Sequence, residues 1–276
     1  MALSILNNIT ALDAENQLNT TQANLQSTLY QLASGSRINS GADDAAGLAI
    51  ADGLQANITA LTQSQRNANN GVGQLQVADG ALSQVTSLLN RAVTLATESA
   101  NGTVNSTQRQ ALQNEFSSIQ AEINSIGSNT TFNGTSVFSG STTSIFLSDS
   151  NPKATTTITV SLGALTTASI GSTNISGDNL SSDTAAQSAL TDINNAIASV
   201  ASMRGTAGAA INRLQAANNV MNNQVQNLTS AEDGITAADI ASDVANMNKY
   251  NILSQTGMAA LGQANSSQQA VLTLLR

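Results

Sequence analysis

The sequence contains no cysteine and no histidine. The first absence excludes a disulfide framework, a thiol nucleophile and a thiolate metal site. The second excludes a Ser-His-Asp triad, an imidazole base and a His-ligated metal. Tryptophan is also missing, aromatics make up 2%, charged residues 9%, and Pro152 is the single proline. Nine Lys and Arg against 17 Asp and Glu leave a net charge of −8, the wrong sign for a protein that displaces counterions from phosphates. The first cation is Arg37, so the positive leader of a secretory signal is not expected. No apolar run approaches the length of a membrane span. These absences point away from enzyme chemistry, cofactors, nucleic acid and membrane insertion. Of the common chemistries, only one using carboxylates alone survives them.

What fills the chain is uncharged polarity: Ser, Thr, Asn and Gln account for 118 of 276 residues. Few aromatics mean little area to bury per residue. That favours apolar stripes along long helices over a thick core. Alternate steps of four and three from Leu54 land on Leu54, Ile58, Leu61, Gln65, Ala68, Val72, Leu75, Asp79, Leu82, Thr86, Leu89, Val93 and Ala96. This heptad seam predicts a helix over about 44–100 packed on other helices. Such a helix would be roughly 85 Å long at 1.5 Å per residue. Gly71, Gly73 and Gly80 mark places for a kink, each at up to ~1 kcal/mol against Ala. Asn101-Gly102 reads as a stop and turn, and Leu112, Phe116, Ile119 and Ile123 mark a second helix over 105–127.

Composition shifts to Thr, Ser and Gly over 128–180. Asn133-Gly134 is a two-residue hairpin signal, and 155–162 alternates like a half-buried strand. Helix is expected again from Ser182, with a break at Asp233-Gly234 and a last helix over about 236–276. A first helix over 3–33 carries Leu18, Leu25 and Leu32 at sevens, with Ile5, Ile9, Leu12 and Leu29 beside them. The expected fold is mainly α. Long antiparallel helices form a rod-like bundle, with coiled-coil helices at the termini and a small β-hairpin region at mid-chain. The expected domains are 1–40 with 234–276, and 41–233 including the β region 128–181. The terminal stripes, Ile5, Ile9, Leu12, Leu18, Leu25 and Leu32 with Ile240, Val244, Met247, Leu261, Leu272 and Leu275, are narrow. Two helices cannot dry both of their faces. Copies of the same chain would cover them, giving a polymer whose terminal helices are disordered in the monomer.

Four separated blocks then carry a resemblance. The stretch Gln31-Leu-Ala-Ser-Gly-Ser-Arg-Ile-Asn-Ser-Gly-Ala-Asp-Asp-Ala-Ala-Gly-Leu-Ala-Ile50 resembles the N-terminal signature of bacterial flagellins. Asn129-Thr-Thr-Phe-Asn-Gly134 resembles the turn after their second helix. Asn227-Leu-Thr-Ser-Ala-Glu-Asp-Gly-Ile235 and Ile252-Leu-Ser-Gln-Thr-Gly-Met-Ala-Ala-Leu-Gly-Gln-Ala-Asn265, with the terminal Val271-Leu-Thr-Leu-Leu-Arg276, are similar to the C-terminal blocks. The resemblance implies a structural subunit of the flagellar filament. It would be exported unfolded through the type III channel and assembled at the distal tip, outside the cell. It also implies an export chaperone on about 236–276 and contact with hook-associated and cap proteins. A Toll-like receptor contact is implied through Arg91, Leu95 and Glu115, although Asn90-Arg-Ala-Val-Thr-Leu95 lacks the family's usual second Arg and Glu. The nearest alternative is a hook–filament junction protein. A protease in the variable region is the farther one, and 128–180 is too short and too Ser/Thr-rich to hold it.

Asp43-Asp44 presents paired carboxylates, but with no His and no partner motif it reads as the acidic start of a helix. Met221, Met247 and Met258 fall at helical positions and read as packing.

Overall fold

The chain was studied as a computed structural model that describes residues 8–148, 156–170 and 173–274, with backbone alone for Thr156 and 268–274. Five helices carry the fold: α1 (Ile9–Ser34), α2 (Ala45–Ser99), α3 (Ser106–Asn129), α4 (Asp183–Thr236) and α5 (Ile240–Leu274). Their ends have local chemical causes. Asn8 accepts from Ala11 N at 3.1 Å and caps α1, which stops at Gly35 in the left-handed conformation, φ 69°. Asn105 and Gln108 exchange side-chain and backbone hydrogen bonds at 2.9 and 3.0 Å, a capping box that starts α3. Asp239 Oδ1 accepts from Ala241 N and Ser242 N at 3.1 and 3.2 Å and starts α5.

The mid-chain strands form three separate antiparallel pairs: β1 (Thr131–Phe132) with β2 (Thr135–Ser136), β3 (Thr142–Leu147) with β4 (Thr156–Ser161), and β5 (Leu165–Thr166) with β6 (Ser169–Ile170). Asn133 and Gly134 turn the first pair with φ of 50° and 76°, the two positive values a type I′ hairpin needs.

The described residues divide into two units, 1–56 with 227–276 and 57–226, and the borders run inside α2 and α4. The sequence placed those borders at 40/41 and 233/234 instead. In unit 57–226 α2 and α4 are antiparallel. Arg204 Nε meets Asp79 Oδ1 at 2.8 Å and Asn218 Nδ2 donates to Asn69 Oδ1 at 2.9 Å. α3 folds back along α2, with Arg109 Nε on the Ser99 carbonyl at 3.0 Å.

One column of the expected seam is buried: Leu61, Ala68, Leu75, Leu82, Leu89 and Ala96. The second is displaced by one residue. Ile58, Gln65, Val72, Asp79, Thr86 and Val93 are only half-buried, whereas Ser64, Gly71, Ala78, Val85, Ala92 and Ser99 are buried. Neighbouring elements come so close along this column that small side chains fill it. A Cβ on Gly71 would strike Ile145 Cδ1 and stand 3.3 Å from Leu214 Cδ1. α2 runs unbroken through Gly71, Gly73 and Gly80. α4 repeats the small-and-large pattern, with Ala186, Ala189, Ile193, Ala196, Val200, Met203, Ala207, Ala210, Leu214 and Met221 buried.

α4 also passes through Asp233-Gly234, correcting the break expected there. A single helical Gly costs only about 1 kcal/mol, and the stop comes where the carbonyl of Thr236 is taken by Arg37 N at 2.7 Å and Ser36 Oγ at 3.1 Å.

Uncharged polar side chains hold the irregular mid-chain backbone on the helices. Ser64 Oγ donates to Ser148 O at 2.9 Å and accepts from Ser148 N at 3.0 Å. Ser99 Oγ donates to Leu180 O at 2.6 Å, and Gln120 Nε2 to Ile175 O at 2.6 Å. Asn124 grips Thr167 twice, accepting from its N–H at 2.7 Å and donating to its hydroxyl at 3.0 Å. A buried loop leaves backbone groups that must be paired. Ser64, Ser99, Gln120 and Asn124 supply part of that pairing from the helices.

Candidate subunit-packing surface

Unit 1–56 with 227–276 is built on α1 and α5, which lie antiparallel. Asn8 Nδ2 donates to Ala264 O at 3.2 Å near one end, and Arg37 Nη2 to Ile235 O at 2.7 Å near the other. The seam on α1 runs Ala11, Ala14, Leu18, Thr21, Leu25, Thr28 and Leu32 at alternating threes and fours, and only Thr21 and Thr28 are fully buried. Their hydroxyls donate to their own helix, to Gln17 O at 2.8 Å and Asn24 O at 2.9 Å. α5 answers with Met247, Tyr250, Ser254, Gly257, Leu261 and Ala264, all half-buried. A Cβ on Gly257 would sit 3.3 Å from Leu18 Cδ1. The pair therefore meets largely through small or hydroxylated side chains.

Other large apolar groups point elsewhere. Ile9, Leu12, Leu29 and Tyr30 on α1, and Ile240, Val244, Ile252, Leu253 and Met258 on α5, are exposed. With Ile50, this unit holds ten of the 13 large apolar side chains left exposed by the described residues. Among the described residues its buried apolar side chains are Ile38 and Ala51. Large apolar side chains left exposed in such number on one unit are what an interface presents.

The expected packing residues thus separate into two sets. Leu18, Leu25, Leu32, Met247 and Leu261 serve the α1–α5 seam, while Ile9, Leu12, Ile240 and Val244 face out. Ile5, Leu275 and the side chain of Leu272 lie outside the described residues. Met258, read from the sequence as a packing residue, is exposed on α5, and the exposed Tyr30, Ile252 and Leu253 were not singled out, because the sequence counts favoured the sevens of the seam over the faces beside it.

The 35–47 connection is a hydrogen-bonded device. Asp43 Oδ2 accepts from Asn39 N at 3.1 Å and from Ser40 N and Oγ at 2.8 and 3.0 Å. Those bonds, the Asn39 amide first, hold the Asp43 carboxyl below the usual carboxylate range. Asp44 Oδ1 accepts from Gly47 N at 2.8 Å and caps α2. A side chain at Gly47 would collide with Asp44 and with Ile38 Cδ1 at 2.7 Å. Asp44→Ala is expected to cost about 0.5–2 kcal/mol through loss of the cap, read as a lowered melting midpoint. An unchanged midpoint would refute the capping role.

Both ends of the chain have counterparts in known proteins. The family profile of the bacterial flagellin N-terminal helical region matches residues 5–143, and that of the C-terminal helical region matches 190–275. The chain belongs to the bacterial flagellin family. Flagellin from Halalkalibacterium halodurans is 34% identical over 99% of both chains. Flagellin from Bacillus subtilis is 33% identical over 99% of this chain and all of its own. The flagellar filament 33 kDa core protein of Treponema phagedenis is 32% identical over 99% of both. The crystal structure of Bacillus cereus flagellin, 31% identical, aligns with a TM-score of 0.49 over 60% of this chain and 94% of that one.

The flagellin resemblance also nominated Arg91, Leu95 and Glu115. Arg91 Nε and Glu115 Oε1 are 2.6 Å apart, with side chains 54% and 44% exposed. That hydrogen bond lowers the Glu115 carboxyl and raises the Arg91 guanidinium. Leu95 does not share their surface. It is 1% exposed, on the side of α2 where Ala92, Ala96 and Ser99 are also buried. Among the described residues no helix is long and apolar enough to cross a membrane, and no three carboxylates gather as a metal site would require.

Proposed function

We infer that this flagellin-family chain is a structural subunit of the bacterial flagellar filament, a helical homopolymer outside the cell that drives swimming. One observation supports assembly above all: among the described residues, the unit built from the chain ends leaves ten large apolar side chains exposed and fully buries almost none. Ordering a residue costs roughly 1–2 kcal/mol of backbone entropy. The α1–α5 seam, half-buried and partly hydroxylated, offsets little of that. Neighbouring subunits would supply the missing burial, so the terminal helices are disordered in the monomer and ordered in the filament. A heterologous contact that does not close into a ring produces a helical fibre. In this reading 1–33 with 236–276 form an inner tube, and 45–127 with 182–230 an outer one. The relatives are flagellins and filament core proteins matched over nearly the whole chain, which favours the filament over the hook–filament junction.

Partners follow the same logic. Export unfolded through the type III channel prevents early polymerisation. A chaperone covering 236–276 would hide the α5 residues that otherwise join copies. Cap and hook-associated proteins would meet the same terminal helices at the filament ends. Recognition by a Toll-like receptor would use the accessible Arg91–Glu115 pair, with Leu95 contributing from beneath.

Removing 261–276 tests the central claim. The truncated chain should stay soluble, keep a folded unit 57–226 by circular dichroism, and give no filaments by electron microscopy. Ordinary filaments from that chain would end this reading.

A further inference from the structure

Three Asn-Gly dipeptides occur in the chain, at 70–71, 101–102 and 133–134. Glycine has no Cβ to shield its own nitrogen, so in each the backbone N–H can approach the carboxamide before it. The structure treats the three differently. Asn70-Gly71 lies in the middle of α2, where Gly71 is buried and its N–H belongs to the helix. Asn133-Gly134 is the turn of the β1–β2 hairpin, held at φ of 50° and 76° between the pairs Thr131–Ser136 and Phe132–Thr135. Asn101-Gly102 is exposed in the connection from α2 to α3, and there both reacting groups are prepared.

We propose that Asn101 is a self-modifying site, at which the Gly102 nitrogen attacks the Asn101 side-chain amide and converts it to an acid. Thr103 N donates to Asn101 Oδ1 at 3.1 Å. That bond closes a small ring containing both the electrophilic Cγ and the Gly102 nitrogen, and it meets the oxygen that gains negative charge when Cγ is attacked. The Asn101 backbone carbonyl accepts from Arg109 Nη2 at 3.0 Å and from Val104 N at 3.1 Å. As the Gly102 nitrogen gives up its proton, peptide resonance spreads its charge onto that carbonyl oxygen. A guanidinium and a second donor stabilise the charge there. Arg109 is kept in place by its Nε on the Ser99 carbonyl at 3.0 Å. The Gly102 N–H donates to no group among the described residues, and nothing lies within 4 Å of a Cβ added at Gly102, so the nucleophile is unprotected.

The reaction balances with water as its one co-reactant. A bond forms from Gly102 N to Asn101 Cγ, the Cγ–Nδ2 bond breaks, and the Gly102 proton leaves with Nδ2 as ammonia. Water then adds to either carbonyl of the five-membered imide and breaks the C–N bond at that carbon. Opening at Cγ gives aspartate. Opening at the backbone carbonyl gives isoaspartate, whose main chain runs through the side chain and is longer by one methylene. Either product places a carboxylate just beyond Ser99, the end of α2, where the helix dipole opposes negative charge. The isoaspartyl form also displaces the carbonyl that Val104 and Arg109 hold. The α2–α3 turn therefore loosens as the molecule ages.

The test incubates the folded full chain in neutral buffer. Peptide mass mapping follows the three sites, with fragmentation that distinguishes isoaspartate. Asn101 should be converted about ten-fold faster than Asn70 or Asn133, the effect of one charge-assisted hydrogen bond. In denaturant the three rates should converge, because the same residue follows each. Gly102→Ala, whose methyl group meets open space, should keep its melting midpoint and lose most of the conversion. Arg109→Gln should slow conversion about ten-fold, and Arg109→Lys, which keeps a cation, by less. Conversion at Asn101 no faster than at the other two sites, an order that persists in denaturant, or undiminished conversion in Gly102→Ala or Arg109→Gln would each overturn the assignment.

Discussion

Replacing Val244 and Met258 together by Asp is expected to stop filament growth at concentrations where the unchanged chain assembles, with no change in the melting of the monomer. The two residues are two heptads apart on α5, so they occupy the same flank, and they are 38% and 53% exposed. Covering what remains of two such side chains contributes about 1.5–3 kcal/mol per subunit joined, which is about 10- to 150-fold in critical concentration. Two carboxylates in that place add a desolvation cost of the same sign. The isolated chain loses little, because exposed substitutions away from caps and seams stay within about 0.5 kcal/mol. Sedimentation of polymer against total protein reads the first effect, and thermal unfolding the second. Val244→Ile with Met258→Leu should assemble normally, which separates loss of apolar surface from loss of helix. Growth of the Asp variant at the ordinary critical concentration would show that this flank of α5 stays open to water.

That prediction rests on a face the sequence pointed to only in part. Leu18, Leu25 and Leu32 recur at sevens, and a period of seven is visible without coordinates. They build the α1–α5 seam. Ile252 and Tyr30 fall on the side of their helices away from that seam, where no regular repeat announces them. The same limit governs α2. Leu61, Leu75, Leu82 and Leu89 define one buried column, whereas the other is filled by Ser64, Gly71, Ala78, Ala92 and Ser99 beside a lone Val85. An apolar count prefers Val72 to Gly71, although close approach selects the smaller residue.

Hydrogen-bonded features divide in a similar way. Asn133-Gly134 announced its hairpin through backbone sterics, a local property. Asp43-Asp44 gave its helix start but not the clamp on Asn39 and Ser40. The grip of Asn124 on Thr167 spans 43 residues, and nothing in either neighbourhood signals it. Legibility thus followed range: periodic and local causes were readable, and those that join distant uncharged side chains to backbone were not.

Glycine makes the same distinction measurable. Gly80 and Gly127 both lie inside helices, and propensity alone treats them alike. At Gly80 nothing lies within 4 Å of an added Cβ, so Gly80→Ala should stabilise the chain by about 0.5–1 kcal/mol. At Gly127 the added carbon would fall on the carbonyl oxygen of Leu165 and 2.9 Å from its carbon. Backbone cannot swing aside as a long side chain can. Gly127→Val would therefore lift β5 and β6 off α3. That step strips the two Asn124–Thr167 bonds, each worth about 1 kcal/mol, and uncovers Leu165 and Ile170, now fully buried, at about 1.5–3 kcal/mol apiece. Partial repacking recovers some of this, leaving an expected loss of about 3–5 kcal/mol. Chemical denaturation should show the midpoint falling for Gly127→Val and rising for Gly80→Ala. Equal and small effects at the two sites would mean that the β5–β6 turn does not rest on α3 as described, and the close approach of Leu165 would have to be given up.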